Sequence, residues 1–209
     1  DPSGYLSLFG HKILPGLFNN NNLRLGVAIG VAWFLGPGGY AWGEWGVLGT
    51  SITNPLAQAA IAGFTSGTIM SGSLKGGMQG AFSAAVFFGV GNVIEGGNFF
   101  TGGGAGGLAG VGGNPLGAVA LHAVAGCITG VASGSKCGPA ALSAAFSEVA
   151  TLNGWQLRGA AGVISAAIIG GTASVLGGGK FANGAQTAAF GYLFNCLGHR
   201  ESGPCSELW

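Results

Sequence analysis

The side chains that carry most enzyme chemistry are sparse and scattered in this chain. The histidines His11, His122 and His199 lie far apart, and a histidine within an apolar segment, such as His122, is usually a core residue. A pairing of His122 with Glu148 across a helical hairpin is conceivable, although pairings of this kind are mostly accidental. The glycine-rich runs lack the GxxxxGK[ST] spacing of a phosphate-binding loop. We therefore expect no catalytic constellation, no enzyme activity and no cofactor.

The cysteines offer a choice between metal ligation and disulfide bonds. None has the CxxC spacing of common zinc sites, so we expect no metal centre. Among the three possible connectivities, we favour the local pairs Cys127–Cys137 and Cys196–Cys205, because each pair brackets a turn. Such bonds form in an oxidising compartment.

The composition is not that of an ordinary soluble domain. Charged residues make up 6% of the chain, against about 25% in soluble domains, and glycine supplies 46 of 209 residues. A water-soluble surface needs roughly 25–35% charged residues, so the chain must sit in lipid, be enclosed by another protein, or aggregate. The net charge of +1 gives no electrostatic reason to bind nucleic acid.

Long runs without a charged side chain separate the few charges. Several of these runs, such as the one between Glu95 and Lys136, reach the ~20 residues that a transmembrane helix needs. Glycine and alanine dilute their hydrophobicity, so they are expected to insert only marginally. Such a segment can be carried through water by a partner and enter a bilayer later.

An internal repeat defines the fold. Three Gly/Ser-rich turns end in Lys75, Lys136 and Lys180, and each is preceded and followed by similar Ala/Gly-rich stretches. The lysines are expected to share one side of the molecule as turn tips. The repeat predicts an all-α fold of three Gly/Ala-rich αα-hairpins, either membrane-inserting or shell-enclosed, with helices over residues 56–71 and 77–94, 116–132 and 138–150, and 159–176 and 181–197.

Small residues recur four positions apart in the second helix of each predicted hairpin. That spacing places them on one helix face, where small side chains let two backbones approach closely, as in membrane helix packing. A tightly packed soluble bundle, or simple Ala/Gly bias, would produce the same pattern. The residues predicted to pack the helices, and to line a pore, are Gly80, Ala84, Ala140, Ala144, Gly184 and Ala188.

The flanking segments are less regular. The N-terminal part is expected to hold one short apolar helix from Leu25 to Leu35, and aromatic residues that form either a small core or a membrane-interface cluster (Trp33, Tyr40, Trp42 and Trp45). The predicted division is an N-terminal segment over 1–55, the first hairpin over 56–101, a flexible Gly-rich linker over 102–115, the second and third hairpins over 116–198, and a polar tail over 199–209.

Two parts of the sequence resemble a known family. Asp1-Pro2-Ser3-Gly4-Tyr5 looks like the DPxG motif that closes the core of Rhs (YD-repeat) proteins, and residues 116–195 are similar to segments in the C-terminal regions of Rhs and contact-dependent-inhibition proteins. The resemblance implies an effector that a β-repeat shell of the same precursor encloses. It also implies delivery into a rival bacterium, typically by type VI secretion, and neutralisation by a cognate immunity protein.

Three functions follow from these observations. The first is a secreted toxin whose hairpins insert into the inner membrane of the target cell and conduct ions, with lipids and further copies of the chain as partners. The alternative is a non-enzymatic pretoxin or translocation-helper module. The third is an enzyme with a site built on His122, Cys127 and Cys137.

Overall fold

The computed structural model describes residues 6–8, 11–13, 21–37, 40–42, 52–100, 114–155 and 159–196. Apart from one two-stranded antiparallel ribbon and a short 3₁₀ turn at Tyr40–Trp42, the regular elements in these ranges are α-helices. This architecture confirms the predicted all-α fold class. In chain order the elements are β1 (Leu6–Leu8), β2 (His11–Ile13), α1 (Asn21–Leu35), α2 (Pro55–Ser71), α3 (Leu74–Ile94), α4 (Pro115–Ala132), α5 (Cys137–Leu152), α6 (Gly159–Leu176) and α7 (Phe181–Cys196).

The six helices from α2 to α7 form three hairpins, each with its two helices in extensive contact. Their bounds agree with the predicted ones to within three residues. The largest difference is at the start of α3, which begins at Leu74 rather than at residue 77. The reason is Ser73, whose hydroxyl accepts a hydrogen bond of 3.1 Å from the amide of Gly76 and so caps the helix.

Asparagine followed by proline starts the first helix of two hairpins. The side chain of Asn54 accepts hydrogen bonds from the amides of Leu56 (2.9 Å) and Ala57 (3.2 Å). Asn114 does the same for Leu116 at 3.0 Å. In each case proline occupies the first helical position, where its missing N–H costs no intrahelical bond. These local signals fix where α2 and α4 begin.

The turns of the second and third hairpins have the same backbone geometry. Gly134 adopts the left-handed conformation (φ +82°), and the amide of Ser135 donates 2.7 Å to the carbonyl oxygen of Gly130. Gly178 repeats this conformation in the third turn with φ +79°. This pattern of hydrogen bonds is that of a Schellman motif at the end of a helix. The motif needs a residue in the left-handed conformation, which is unfavourable for residues that have a Cβ and favourable for glycine. The sequence repeat is therefore a repeat of structure.

The three hairpins pack into one bundle with a continuous core. Helix α3 packs against α4 and α7, while α5 packs against α6 and α7. Phe87 on α3 and Phe194 on α7 are the two largest fully buried side chains, and alanines supply most of the other buried positions. Because alanine side chains are small, the helices approach closely, and contacts between their backbones contribute to the packing together with the large side chains.

The N-terminal part differs from the prediction in two ways. Helix α1 begins at Asn21, four residues before the predicted start, and β1 pairs with β2 where only irregular structure was expected. Helix α1 lies along α2, and the indole Nε1 of the buried Trp42 donates 2.6 Å to the carbonyl oxygen of Leu35. For Trp42 this favours the core interpretation of the aromatic cluster. The Asp1–Tyr5 motif, the side chains of Trp33 and Tyr40, Trp45, the linker over 102–113 and the tail over 199–209 lie outside the described residues.

Candidate functional site

In the first hairpin, glycines of α2 lie directly against small residues of α3. A methyl group added to Gly80 would collide with the carbonyl oxygen of Gly63, and one added to Gly63 would lie 2.5 Å from the Cβ of Ala84. Gly67 faces the backbone of α3 in the same way. The two helix backbones are therefore in contact, and no larger side chain fits between them.

The second hairpin has an equivalent line of contact between small residues of its two helices, and we call each such line a small-residue seam. A Cβ on Gly126 would lie 2.5 Å from the carbonyl oxygen of Ala140 and 2.6 Å from the Cβ of Ala144. One turn further along α4, Gly130 meets the methyl group of Ala140. Ala140 and Ala144 are both buried.

The third hairpin repeats the seam between α6 and α7. A Cβ on Gly170 would collide with the methyl group of Ala188, and one on Gly184 would collide with the side chain of Ser174 and the carbonyl oxygen of Gly170. Ser143 of α5 joins this seam from the neighbouring hairpin, since its buried hydroxyl donates 2.6 Å to the carbonyl oxygen of Gly184. The bond ties the second hairpin to the third.

The structure places all six residues that were predicted to pack the helices in these three seams. Their partners on the first helix of each hairpin were not predicted as packing residues. The sequence did contain a pattern that could have identified these partners, because they are also small residues four positions apart. These partners are Gly63, Gly67, Gly126, Gly130, Gly170 and Ser174.

A disulfide bond joins Cys127 on α4 to Cys137 at the start of α5, with 4.2 Å between the Cα atoms. This is the pairing that the sequence favoured. The bond fastens the second seam near its turn. In this state neither sulfur is a thiolate, so neither can act as the nucleophile of the hypothetical Cys-based site. The second predicted pair, Cys196–Cys205, lies outside the described side chains.

His122 and Glu148 meet inside the second hairpin. Nε2 of His122 lies 3.4 Å from Oε2 of Glu148, and the side chains are 4% and 5% exposed. Nδ1 of His122 lies 3.0 Å from the carbonyl oxygen of Ala118, one helical turn before it. A carbonyl oxygen only accepts, so Nδ1 carries a hydrogen and Nε2 faces the carboxyl group. The pairing of His122 with Glu148 that was considered from the sequence is therefore a contact in the structure. His122 is also buried, as expected for a histidine within an apolar segment.

The surroundings of this pair leave little space for a substrate. A cavity of about 10 Å³ adjoins His122 and Glu148 and is also lined by Thr151 and Tyr192. Space of this size holds roughly one water molecule. Within the described ranges, moreover, no group of three metal-ligating side chains comes together. The pair can share or pass a proton, but it has no room to bind an organic molecule.

Several polar groups lie inside the bundle among its apolar core residues, and several large apolar groups lie on its surface. Thr129 and Ser143, like the His122–Glu148 pair, are almost completely buried. On the outside, α4 and α6 each expose four large apolar side chains. These are Leu116, Val124, Ile128, Val131, Ile164, Ile168, Val175 and Leu176.

Two of the described helices, α3 and α4, are long and apolar enough to cross a membrane. This criterion alone is weak, because buried core helices of soluble proteins also meet it. The two helices differ in this respect: 56% of the α3 window is buried in the bundle, against only 33% for α4. Helix α4 is therefore less buried in the bundle than α3.

The three turns lie at the same end of the bundle. The side-chain amide of Gln79, near the first turn, donates 3.2 Å to the carbonyl oxygen of Ala132 at the second. Asn183, after the third turn, donates 2.7 Å to the hydroxyl of Ser135 in the second. The predicted turn-tip lysines, Lys75, Lys136 and Lys180, therefore gather at one end, and all three are exposed.

A cleft of about 290 Å³ opens between the second and third turns. Lys136 and Lys180 line it, and so do the Ser135–Asn183 pair and Ser174. No described residue that lines this cleft is acidic. The sequence marked the two lysines only as turn tips and did not predict the cleft between them.

No known family model, curated protein or solved structure matches this chain significantly.

Proposed function

We propose that this chain is the toxic segment of an interbacterial effector, and that it inserts into the inner membrane of a target cell and lets ions cross. The observation that carries the proposal is the distribution of polarity in the bundle. Polar side chains such as His122 and Glu148 are buried, while Leu, Ile and Val residues cover the outside of α4 and α6. A water-soluble bundle normally has the opposite arrangement.

The apolar exterior supplies the driving force for insertion. Leu116, Val124, Ile128 and Val131 lie along one exposed side of α4. Complete transfer of one such side chain from water to an apolar environment is worth about 1.5–3 kcal/mol. An exposed surface of this kind commonly marks a site that contacts lipid or another protein.

The polar interior supplies groups that ions can use. Ionisable residues inside a membrane segment are costly and usually mark ion or proton pathways. In the bundle, the His122–Glu148 pair and the hydroxyl groups of Thr129 and Ser143 lie between the helices. Rearrangement of the hairpins in lipid, through their small-residue seams, would let these groups line a conducting path.

The resemblance to Rhs proteins supplies the biological setting of the proposal. A shell of the same precursor would keep the apolar surface from water until delivery, and an immunity protein would protect the producing cell. Lys75, Lys136 and Lys180 at one end would favour contact with the anionic surface of a bacterial inner membrane.

Leakage of potassium or of a trapped dye from liposomes tests this function. Ile128→Lys places a charge on the exposed apolar face of α4, at a cost of about 3 kcal/mol if that face enters the bilayer centre, so leakage should fall at least tenfold. Ser133→Lys adds the same charge at an exposed turn and, on neutral vesicles, should leak within twofold of wild type. Absence of leakage by the wild-type chain across neutral and anionic lipids would refute the proposal.

One observation favours the alternative, a non-enzymatic pretoxin or translocation-helper module. Only α3 and α4 of the described helices meet the criterion for a membrane span, which is few for a channel built from one copy. Expression of residues 1–209 in bacteria separates the two functions. Collapse of the membrane potential supports the pore, whereas normal growth with the potential intact supports the helper module.

A further inference from the structure

The end of the bundle that carries the three turns has an excess of positive charge. Lys75, Lys136 and Lys180 are exposed there. In the described part of the chain, Lys136 and Lys180 have no ion pair. The carboxylates lie away from the three turns, since Glu95 directly follows α3 and Glu148 is in the second half of α5. Unpaired like charges at one end attract an anion.

The cleft between the second and third turns concentrates this charge. Lys136 and Lys180 stand on its two sides, and the linked side chains of Ser135 and Asn183 form part of its wall. Lys136 is also the N-cap residue of α5, and no side chain caps the first amides of that helix. The partial positive charge of this helix end therefore adds to the charge of the two ammonium groups.

Two apolar side chains lie next to residues that line the cleft. A Cβ on Gly177 would lie 2.8 Å from Cδ1 of Leu142 and 3.4 Å from Cα of Pro139, which lines the cleft. Phe181 directly follows Lys180 and is exposed. A ligand with an anionic group in the cleft would thus have apolar protein surface next to it.

We propose that this cleft binds the phosphate of an anionic phospholipid, with Lys136 and Lys180 on the headgroup and the acyl chains passing Leu142 and Phe181. The volume of about 290 Å³ accommodates a phosphate with its glycerol. The apolar border is what favours a lipid over a free phosphate ester. The inference rests on the proposed membrane function and names the lipid class that the chain would engage.

The test compares three single variants of the full chain, K75Q, K136Q and K180Q, on vesicles of phosphatidylcholine with and without phosphatidylglycerol. Lys75 is the matched control, because it lies at the same end and outside the cleft. Simple attraction to an anionic surface lowers binding by roughly fivefold per lysine lost. A lysine that contacts the phosphate in the cleft should cost about thirtyfold, because a charge-assisted hydrogen bond is lost as well.

Three equal losses would overturn the proposal, because they would indicate surface attraction alone. The variants K136R and K180R should retain binding to within a few fold, and circular dichroism should be the same for all five. Competition with glycerol 3-phosphate separates the two sources of phosphate. If it displaces the vesicles at concentrations similar to those of the accessible lipid, the cleft binds a free phosphate ester and the lipid assignment is wrong.

Leakage from the same vesicles keeps this proposal distinct from the proposed function. If the three glutamine variants lose binding equally and leakage is normal, the proposed lipid site is wrong and the proposed pore stands. If the wild-type chain causes no leakage but K136Q still binds about sixfold more weakly than K75Q, the pore is wrong and the lipid site stands.

Discussion

Nε2 of His122 on α4 lies 3.4 Å from Oε2 of Glu148 on α5, in the interior of the second hairpin. Because Nδ1 of His122 is committed to the carbonyl oxygen of Ala118, one proton between Nε2 and the carboxyl group satisfies both partners. A hydrogen bond between the two side chains suits their buried position.

This arrangement predicts different outcomes for two substitutions of Glu148. In E148Q the amide N–H can still donate to Nε2, so the free energy of unfolding should fall by only about 1 kcal/mol. In E148A the imidazole loses its buried partner, and the loss should reach about 3 kcal/mol. Urea unfolding in mild detergent, followed by circular dichroism, measures both values. E95A at the exposed end of α3 is the control, with an expected loss of about 1 kcal/mol or less; equal losses for E148Q and E148A would contradict the shared proton.

The small-residue seam of the third hairpin gives a second prediction. Even one methyl group at Gly184 would collide with Ser174 and Gly170, and the methyl group of Ala188 already fills its space against Gly170. Gly184→Leu and Ala188→Leu should therefore each destabilise the bundle by about 3 kcal/mol. Ala182→Leu on the same helix lies at an exposed position and should stay within about 0.5 kcal/mol of wild type. Wild-type stability and leakage in the G184L/A188L double variant would argue against close packing of α6 and α7.

The disulfide bond gives a third prediction. Replacing both Cys127 and Cys137 by serine opens a short loop and should lower the free energy of unfolding by about 3 kcal/mol. Peptide mapping by mass spectrometry without reduction should recover Cys127 linked to Cys137. Reduction of the wild-type chain should reproduce the stability loss of the double variant, and an unchanged transition after complete reduction would contradict this role.

The contact between the second and third hairpins gives a fourth prediction. Ser143→Ala removes the hydrogen bond of 2.6 Å to the carbonyl oxygen of Gly184, and the cost should be about 1 kcal/mol. Ser133→Ala at an exposed turn should cost less than about 0.5 kcal/mol. Hydrogen exchange then locates the effect, because S143A should increase exchange in α5 and α7 more than in α2. A uniform increase over all helices would indicate that the bond does not link these two hairpins specifically.

The three hairpins and the positions of their turns could be predicted from the sequence. Capping and turn signals act over a few residues, so Asn54, Asn114 and the left-handed Gly134 and Gly178 mark helix ends without help from the rest of the fold. The spacing of Gly184 and Ala188 likewise identified a close-packing face, because helical periodicity is a local property.

Which helix faces meet could not be predicted from the sequence. The distance between His122 and Glu148 and the cleft between Lys136 and Lys180 both depend on the relative rotation and register of whole helices. In a chain whose helix faces are mostly glycine and alanine, few large side chains specify that register from sequence. The register of the helices depends instead on contacts between their backbones, and these contacts form only when the hairpins pack together.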